Sequence, residues 1–219
     1  MDVGALLDVP GNLFKYYRDG GFVMHFISVC SILAVTAIIY KIVVFHRSGI
    51  DTNEFISRVR AALLKGNIQQ AIKNCEEYRG PIAAIIKTGL LKYGSPRDEV
   101  EKTMENAAIH EVAYLEKFMM VLATVTNIAP LIGFFGTVVG MILSFDIIAT
   151  QGLNNPGLVA KGISVALLTT AYGLIVAFVT QPFYNYFSGK VSAYSREIET
   201  ASNILFETFD EMERMGTKA

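Results

Sequence analysis

Charged residues are scarce in this sequence. Only 18% of its 219 residues are Asp, Glu, Lys or Arg, whereas 52% are hydrophobic. This composition is too apolar for an ordinary soluble domain. The formal net charge of −1 and the lack of a dense basic patch also exclude an electrostatic surface for nucleic acid.

Residues with catalytic or metal-binding chemistry are scarcer still. The two cysteines, Cys30 and Cys75, fall in an apolar run and in a charged region, so no disulfide between them is predicted. The three histidines are scattered, without the spacing of metal ligands. The sequence contains no Walker loop, no HExxH, no GxSxG and no paired carboxylates in apolar surroundings. We therefore expect no metal, no cofactor and no enzymatic activity.

Three long apolar runs dominate the sequence instead. They cover about residues 22–45, 118–149 and 162–187, and each is long enough to cross roughly 30 Å of hydrocarbon as a helix. The second run is longer than the hydrocarbon core requires, so it must tilt or project from the bilayer. The sequence predicts an all-α membrane protein with three transmembrane helices.

Basic residues predict the orientation of these helices. Eleven Lys and Arg residues fall in 46–117, whereas 150–161 contains one, Lys161. The positive-inside rule then places the insert 46–117 and the tail 188–219 in the cytoplasm. The segment 1–21 and the loop 150–161 become periplasmic.

The insert and the tail have helical periodicity. An apolar stripe predicts a first helix, and breaks at Gly66-Asn67, Gly80-Pro81 and Tyr93-Gly94 separate it from later ones. The stripe consists of Phe55, Val59 and Leu63. The tail is predicted to be helical from about 188 to 214. Its apolar side holds Ile198, Ile204, Leu205 and Phe209, so long helices extend into a cytoplasmic helical bundle.

The inner ends of the apolar runs carry two further signals. Ser95-Pro96 followed by Asp98 is typical of a helix start, with Ser95 as the cap. Nothing interrupts the pattern afterwards, so one continuous helix is predicted from about 96 to 149. Lys41, near the end of the first run, is expected to reach a lipid phosphate rather than an acid at the interface.

The second and third runs each carry a stripe of small and hydroxyl residues. The spacings of 4, 3, 4, 3 and 4 in the second run keep its members on one helix face. Small residues permit the close packing and interhelical hydrogen bonds that join helices in a membrane. The stripes are Thr126, Pro130, Gly133, Thr137, Gly140 and Ser144, joined by Gly136, and Ala166, Thr170, Gly173, Ala177 and Thr180.

Two interpretations of the stripes stay open on the pattern alone. The favoured one is that they only pack helix against helix. In the other, hydroxyls line a polar path, and Thr137 and Thr170 are the best candidates because both lie near mid-membrane beside glycines. Asp146, near the outer end of the second run, is either an outer-mouth acid or, as we favour, an interfacial residue. The third run has no acid or base, so a titrating group would come from another subunit.

The stripes lie within two longer motifs that resemble a known family. Residues 129–141, APLIGFFGTVVGM, are similar to the APxxGLxGTVxGM signature of the MotA/TolQ/ExbB proton-channel family. Residues 162–174, GISVALLTTAYGL, are similar to the third-span signature of ExbB and TolQ, and 20–24 resembles the start of their first span. Three spans with a large cytoplasmic insert also match ExbB and TolQ, whereas MotA has four spans.

The resemblance implies an assembly and a mechanism. Family members form a pentamer around a dimer of a single-span ExbD- or TolR-like partner, in the bacterial inner membrane, and act on a TonB- or TolA-like protein. The partner brings a membrane aspartate, and proton flow is thought to turn one ring against the other. The second and third spans would line the pore, with Thr137, Thr170 and the adjacent Thr169 on the proton pathway.

Two departures from the family affect this mechanism. ExbB and TolQ usually have a third-span glutamate, and Val165 stands at that position here. Their usual Glu-Arg near the inner end of the first span is Tyr40-Lys41, which retains only the cation. The missing glutamate keeps a non-conducting membrane scaffold open as an alternative. A stator of a motility system shares the mechanism and differs only in cargo.

Overall fold

A computed structural model describes residues 17–18, 20–48, 52–78, 80–152 and 155–216. These residues form helices and no β-strands, and three helical segments long and apolar enough to cross a membrane lie within Val23–His46, Arg97–Gln151 and Pro156–Arg214. The predicted fold class is therefore confirmed. Most of the predicted periplasmic segment 1–21 lies outside the described residues. The helices are α1 (Val23–Ser48), α2 (Thr52–Leu64), α3 (Ile68–Glu77), α4 (Pro81–Leu91), α5 (Arg97–Glu116), α6 (Met119–Gln151) and α7 (Pro156–Arg214).

Turn and capping residues set the limits of the short helices. Gly66 has φ +72°, a left-handed conformation that glycine adopts without strain, and it ends the turn after α2. Asn67 then caps α3, where its side-chain oxygen accepts the backbone N–H of Gln70 at 2.9 Å. Pro81 opens α4, a position where its missing N–H costs nothing.

Contacts divide the chain into two compact units. The first unit contains the described residues up to Ile38 together with 118–185, and the second contains 39–117 and 186–216. The first unit consists of the apolar stretches of α1, α6 and α7, and it contains both predicted stripes. Helices α1 and α7 are each divided between the two units, α1 after Ile38 and α7 after Asn185.

The second unit is a helical bundle around an apolar core. The predicted stripe of Phe55, Val59 and Leu63 is buried, which confirms the predicted face of α2. From the tail, Ile198 and Leu205 are buried in the same core, and Ile204 and Phe209 pack against it. Ion pairs lie on the surface of this unit, where solvent screens them.

The predicted continuous helix from 96 to 149 is wrong. Helix α5 ends at Glu116 and α6 begins at Met119, and between them Phe118 has φ +65°, which is rare for a residue with a side chain. The carbonyl of Leu115, in the last turn of α5, accepts a hydrogen bond from the ammonium group of Lys41, 74 positions away. The periodicity of neighbouring residues cannot predict a contact between residues so distant in sequence.

The predicted start of this region is also displaced. Helix α5 begins at Arg97, and Pro96 is the residue that precedes the helix, with no side chain capping it. The predicted roles of Ser95 as cap and of Pro96 as the first helical residue are therefore wrong by one position. Asp98 does lie in the first turn, where a negative charge favours the helix N-terminus.

Candidate functional site

Helices α6 and α7 pack antiparallel within the first unit, along the two predicted stripes. Near one end of the contact, the hydroxyl of Ser144 donates to the carbonyl of Val159 at 3.1 Å. Further along, the hydroxyl of Thr137 lies 3.2 Å from the carbonyl of Ala166. The stripes of one chain therefore face each other, as helices rich in small residues do in a membrane.

Glycines bring the two backbones together. A Cβ atom on Gly133 would lie 2.8 Å from the carbonyl oxygen of Thr169, and one on Gly173 would lie 2.5 Å from the carbonyl oxygen of Ala129. Real Cβ atoms essentially never approach other atoms so closely, and a backbone carbonyl cannot swing away as a side chain can. These two positions therefore require glycine.

Two other glycines of the stripe face side chains. A Cβ atom on Gly136 would lie 2.6 Å from the Cβ of Thr169, and one on Gly140 would lie 2.8 Å from the Cβ of Ala166. Thr169 is fully buried at this contact, and its hydroxyl donates to the carbonyl of Ala166 at 2.9 Å, within its own helix. Of the three threonines predicted on the proton pathway, Thr169 is the one enclosed between the helices.

Thr137 and Thr170 form a hydrogen-bonded pair across the contact. Their hydroxyl oxygens are in direct hydrogen-bond contact, and both side chains are only half-buried in this chain. The hydroxyl of Thr170 also lies 3.1 Å from the carbonyl of Gly133, and that of Thr137 has the carbonyl of Ala166 within reach. The absence of a side chain on Gly133 leaves that carbonyl accessible.

The pair can hold its protons in two arrangements. In one, Thr137 donates to the Ala166 carbonyl and accepts from Thr170. In the other, Thr170 donates to the Gly133 carbonyl and accepts from Thr137. A hydroxyl has one proton and two lone pairs, so each arrangement satisfies both groups. Switching between them reverses the polarity of the chain of hydrogen bonds without placing a charge in the membrane.

The other predicted site residues divide between the contact and its surroundings. Ser144 and Ala166 are buried within it, whereas Asp146 is exposed. Val165, at the position where the family resemblance implies a glutamate, is half-buried. Pro130 and Ala177 are likewise half-buried on their stripes. No carboxylate therefore accompanies the threonine pair in the described part of these two helices.

Thr126 is a buried hydroxyl that the pattern did not distinguish from its neighbours. Its side chain is 8% exposed, and its oxygen has no hydrogen-bond partner among the described residues. Pro130, one turn further on, has no N–H and cannot donate to the Thr126 carbonyl as a regular helix would require. Thr126 is thus a buried hydroxyl without a described partner, on the same stripe as Thr137 but about three helical turns away from it.

Lys41 is the residue whose environment differs most from its prediction. It is fully buried in the second unit, and its ammonium group donates to the Leu115 carbonyl and lies 5.2 Å from the centroid of the Phe45 ring. The prediction that it reaches a lipid phosphate is therefore wrong. Snorkelling to the interface requires a side chain that is free to extend, whereas that of Lys41 is enclosed and bound to the last turn of α5.

Comparisons with known proteins agree with the two motifs. The model of the MotA/TolQ/ExbB proton channel family matches residues 77–200. The chain is 30% identical over 200 residues to a biopolymer transport protein ExbB homolog of Methanothermobacter thermautotrophicus, covering 91% of this chain and 71% of that protein. It is 31% identical over 161 residues to a biopolymer transport protein ExbB-like 3 of Synechocystis, covering 72% and 76% of the two chains.

A second group of relatives matches a shorter part of the chain. The Tol-Pal system protein TolQ of Pseudomonas aeruginosa is 40% identical over 91 residues, which is 42% of this chain and 39% of that protein. The family model covers more than half of the chain, and the ExbB homolog covers nearly all of it. The chain therefore belongs to the MotA/TolQ/ExbB proton channel family and is related to its ExbB and TolQ members.

Proposed function

We propose that this chain is the pore-forming subunit of an inner-membrane motor driven by the proton-motive force, of the ExbB/TolQ type. It couples proton flow to mechanical work on a single-span ExbD- or TolR-like partner, for transport or for an envelope function. The observation that carries the proposal is the pair of Thr137 and Thr170. It provides a reversible hydrogen-bonded step between two half-buried side chains, within the long apolar stretches of α6 and α7.

The orientation in the membrane is part of the proposal. Residues 22–45, 118–149 and 162–187 cross the bilayer, with 1–21 and 150–161 in the periplasm. The insert 46–117 and the tail 188–219 lie in the cytoplasm. The excess of basic residues in the insert supports this orientation, as does its packing with the tail into one helical bundle.

The assembly is a homo-oligomer, which we take to be a pentamer around two copies of the partner. In support, α6 and α7 expose large apolar side chains on faces away from their mutual contact. These faces suit contact with lipid or with a neighbouring subunit, because both keep large apolar side chains away from water. Examples are Leu131, Phe134, Leu167 and Phe178.

The partner must supply the titrating group. A threonine hydroxyl can relay a proton but cannot hold a charge near neutral pH. Val165 removes the carboxylate that relatives carry beside the pair, and the third span has no other acid or base. An acid on a single-span partner, facing Thr137 and Thr170, therefore completes the path.

Proton flux in liposomes tests this function. The chain is purified alone and together with its single-span partner, reconstituted, and energised with a potassium diffusion potential. The proposal predicts proton uptake only when both subunits are present. Substitution of the partner's membrane acid by its amide should abolish the uptake, whereas the same change at Asp146, which is exposed at one end of α6, should leave it intact.

The alternative is a membrane scaffold that oligomerises without conducting, which the missing glutamate favours. It predicts sealed liposomes with or without the partner and assembly that does not depend on the membrane potential. Flux that requires the partner rejects the scaffold. A stator for motility would conduct in the same manner, so it differs only in what the motor turns.

A further inference from the structure

We propose that Lys41 is a positioning residue of this subunit: its buried ammonium group binds the last turn of α5 and so fixes where that helix ends. The inference depends on the proposed function only for its effect on proton flux. The structural part, that Lys41 clamps α5, stands on the geometry of the second unit alone.

The geometry is that of a charged group capping a helix from outside. The ammonium group of Lys41 on α1 donates to the carbonyl of Leu115, in the last turn of α5. The final carbonyls of a helix have no amide partner within the helix, and they form its negative end. A lysine ammonium is therefore a favourable partner at this position.

Burial makes this contact obligatory. Lys41 is 0% exposed, so its charge has lost its water. A buried charge without partners costs far more than a neutral group, and helix packing must compensate for it. Besides the Leu115 carbonyl, the ring of Phe45 contributes a face at 5.2 Å. Phe45 is itself held by Phe187, whose ring stacks on it at 5.6 Å and is fully buried.

The residue next to Lys41 contacts the same end of α5. The ring of Tyr40 lies 6.0 Å from the ammonium group of Lys117, which directly follows α5. Two consecutive residues of α1 thus contact the end of α5. Lys41 binds a backbone carbonyl of its last turn, and Tyr40 contacts the side chain of the residue that follows it.

The position of this clamp gives it a consequence for conduction. Lys117 and Phe118 are the only residues between α5 and α6, and α6 carries Thr137. The last turn of α5 is therefore joined along the chain, through two residues, to the first turn of the helix that carries Thr137. The clamp would not be needed if α5 continued into α6, because the Met119 N–H would then pair with the Leu115 carbonyl.

The experiment compares K41M, K41R and the control K102M, each in the full chain co-purified with its partner. Lys102 is an exposed lysine on α5, so K102M makes the same chemical change without touching the clamp. Amide hydrogen exchange is followed in peptides covering 108–122, and proton flux is measured in liposomes. K41Q, whose side chain is too short to reach Leu115, replaces K41M if that variant does not assemble.

We expect K41M to speed amide exchange in 108–122 about tenfold, because the helix end loses its partner. Proton flux should fall about fivefold or more. K41R, which keeps a cationic donor, should behave as the unmodified chain does, and so should K102M. Unchanged exchange in K41M, or exchange in K41R as fast as in K41M, would overturn the clamp whatever the flux.

Changed exchange with normal flux would overturn the positioning role. Failure of the proposed function has a different signature: the unmodified complex would conduct no protons, while the exchange difference between K41M and K41R would persist.

Discussion

At the scale of the residue, the contact between α6 and α7 depends on glycines that face a backbone. Gly173→Ala places a methyl group 2.5 Å from the Ala129 carbonyl oxygen, which cannot move aside. We expect G173A to lower the free energy of unfolding by about 1–3 kcal/mol, the usual cost of overpacking. Thermal unfolding of the purified protein in detergent, followed by circular dichroism, measures the change.

Gly189 provides the matched control for that change. It lies on the same helix α7, and a Cβ atom there would meet no other atom within 4 Å. Because alanine favours a helix over glycine by about 1 kcal/mol, G189A should be neutral or stabilising. Equal loss of stability in G173A and G189A would show that the backbone contact does not limit the position.

Thr126 should respond to substitution in the opposite direction from a bonded threonine. A buried hydroxyl without a partner costs roughly 1–3 kcal/mol, so Thr126→Val, which keeps the shape, should raise the unfolding temperature. Thr180 is the comparison, since it is also buried and its hydroxyl donates to the Val176 carbonyl at 2.7 Å. T180V should lower the unfolding temperature or leave it unchanged. A destabilised T126V would mean that its hydroxyl is satisfied after all.

Cys75 is predicted to be chemically inert in the folded protein. Burial raises the pKa of its thiol to about 12, and the nearby Lys87 opposes this only in part. At pH 8 the group is therefore a protonated thiol, whereas alkylation requires the thiolate. In a Cys30→Ser background, maleimide labelling should be slow until denaturant is added. Rapid labelling under native conditions would contradict the burial of this residue.

At the scale of the element, the sequence predicted helices well and one helix junction badly. Breaks at Gly66-Asn67 and Gly80-Pro81 were visible because glycine, asparagine and proline change the backbone locally. The break at Lys117 and Phe118 has no such residue. The break lies next to a contact between Leu115 and Lys41, which are 74 positions apart, and no residue near Leu115 predicts that contact.

The helices of the second unit should depend on their apolar faces more than on their ion pairs. Leu205 of α7 is 3% exposed in the core, so L205A should cost about 2–5 kcal/mol. Arg60 and Glu211 form an exposed pair at 2.9 Å, so Glu211→Gln should change stability by less than about 1 kcal/mol. Thermal unfolding of both variants gives the comparison, and a larger loss in E211Q than in L205A would contradict the predicted core.

At the scale of the whole molecule, the sequence predicted the elements of the site better than their partners. The stripes identified Thr137 and Thr170 because spacing alone defines a helix face. Spacing does not say which face meets which, so the direct bond between the two hydroxyls needed the structure. The same limit applies to Thr169, which adjoins Thr170 in sequence but is enclosed against Gly136.

The apolar character of the site has a consequence for the complete motor. With Val165 where the family resemblance places a glutamate, the described helices bring the paired hydroxyls of Thr137 and Thr170 together without a carboxylate beside them. Under the proposed function, such a subunit relays protons but has no group at this site that binds and releases one as a charge. The proposed function therefore requires an acid from a partner, and it assigns to the threonine pair the only reversible hydrogen-bonded step that we identify in the described part of these helices.

Proton flux in variants of the threonine pair is the most direct test of the proposed proton path. The double variant T137V/T170V keeps the shape of both side chains and removes both hydroxyls, while T137S/T170S keeps the hydroxyls. Both are reconstituted with the single-span partner and energised by a potassium diffusion potential. We predict that the valine variant loses at least about 90% of the flux, because loss of a proton-transfer group slows a reaction by about that much or more. The serine variant should retain most of the flux, because it keeps both hydroxyls. Unchanged flux in T137V/T170V, with the complex intact, would contradict the proposed proton path.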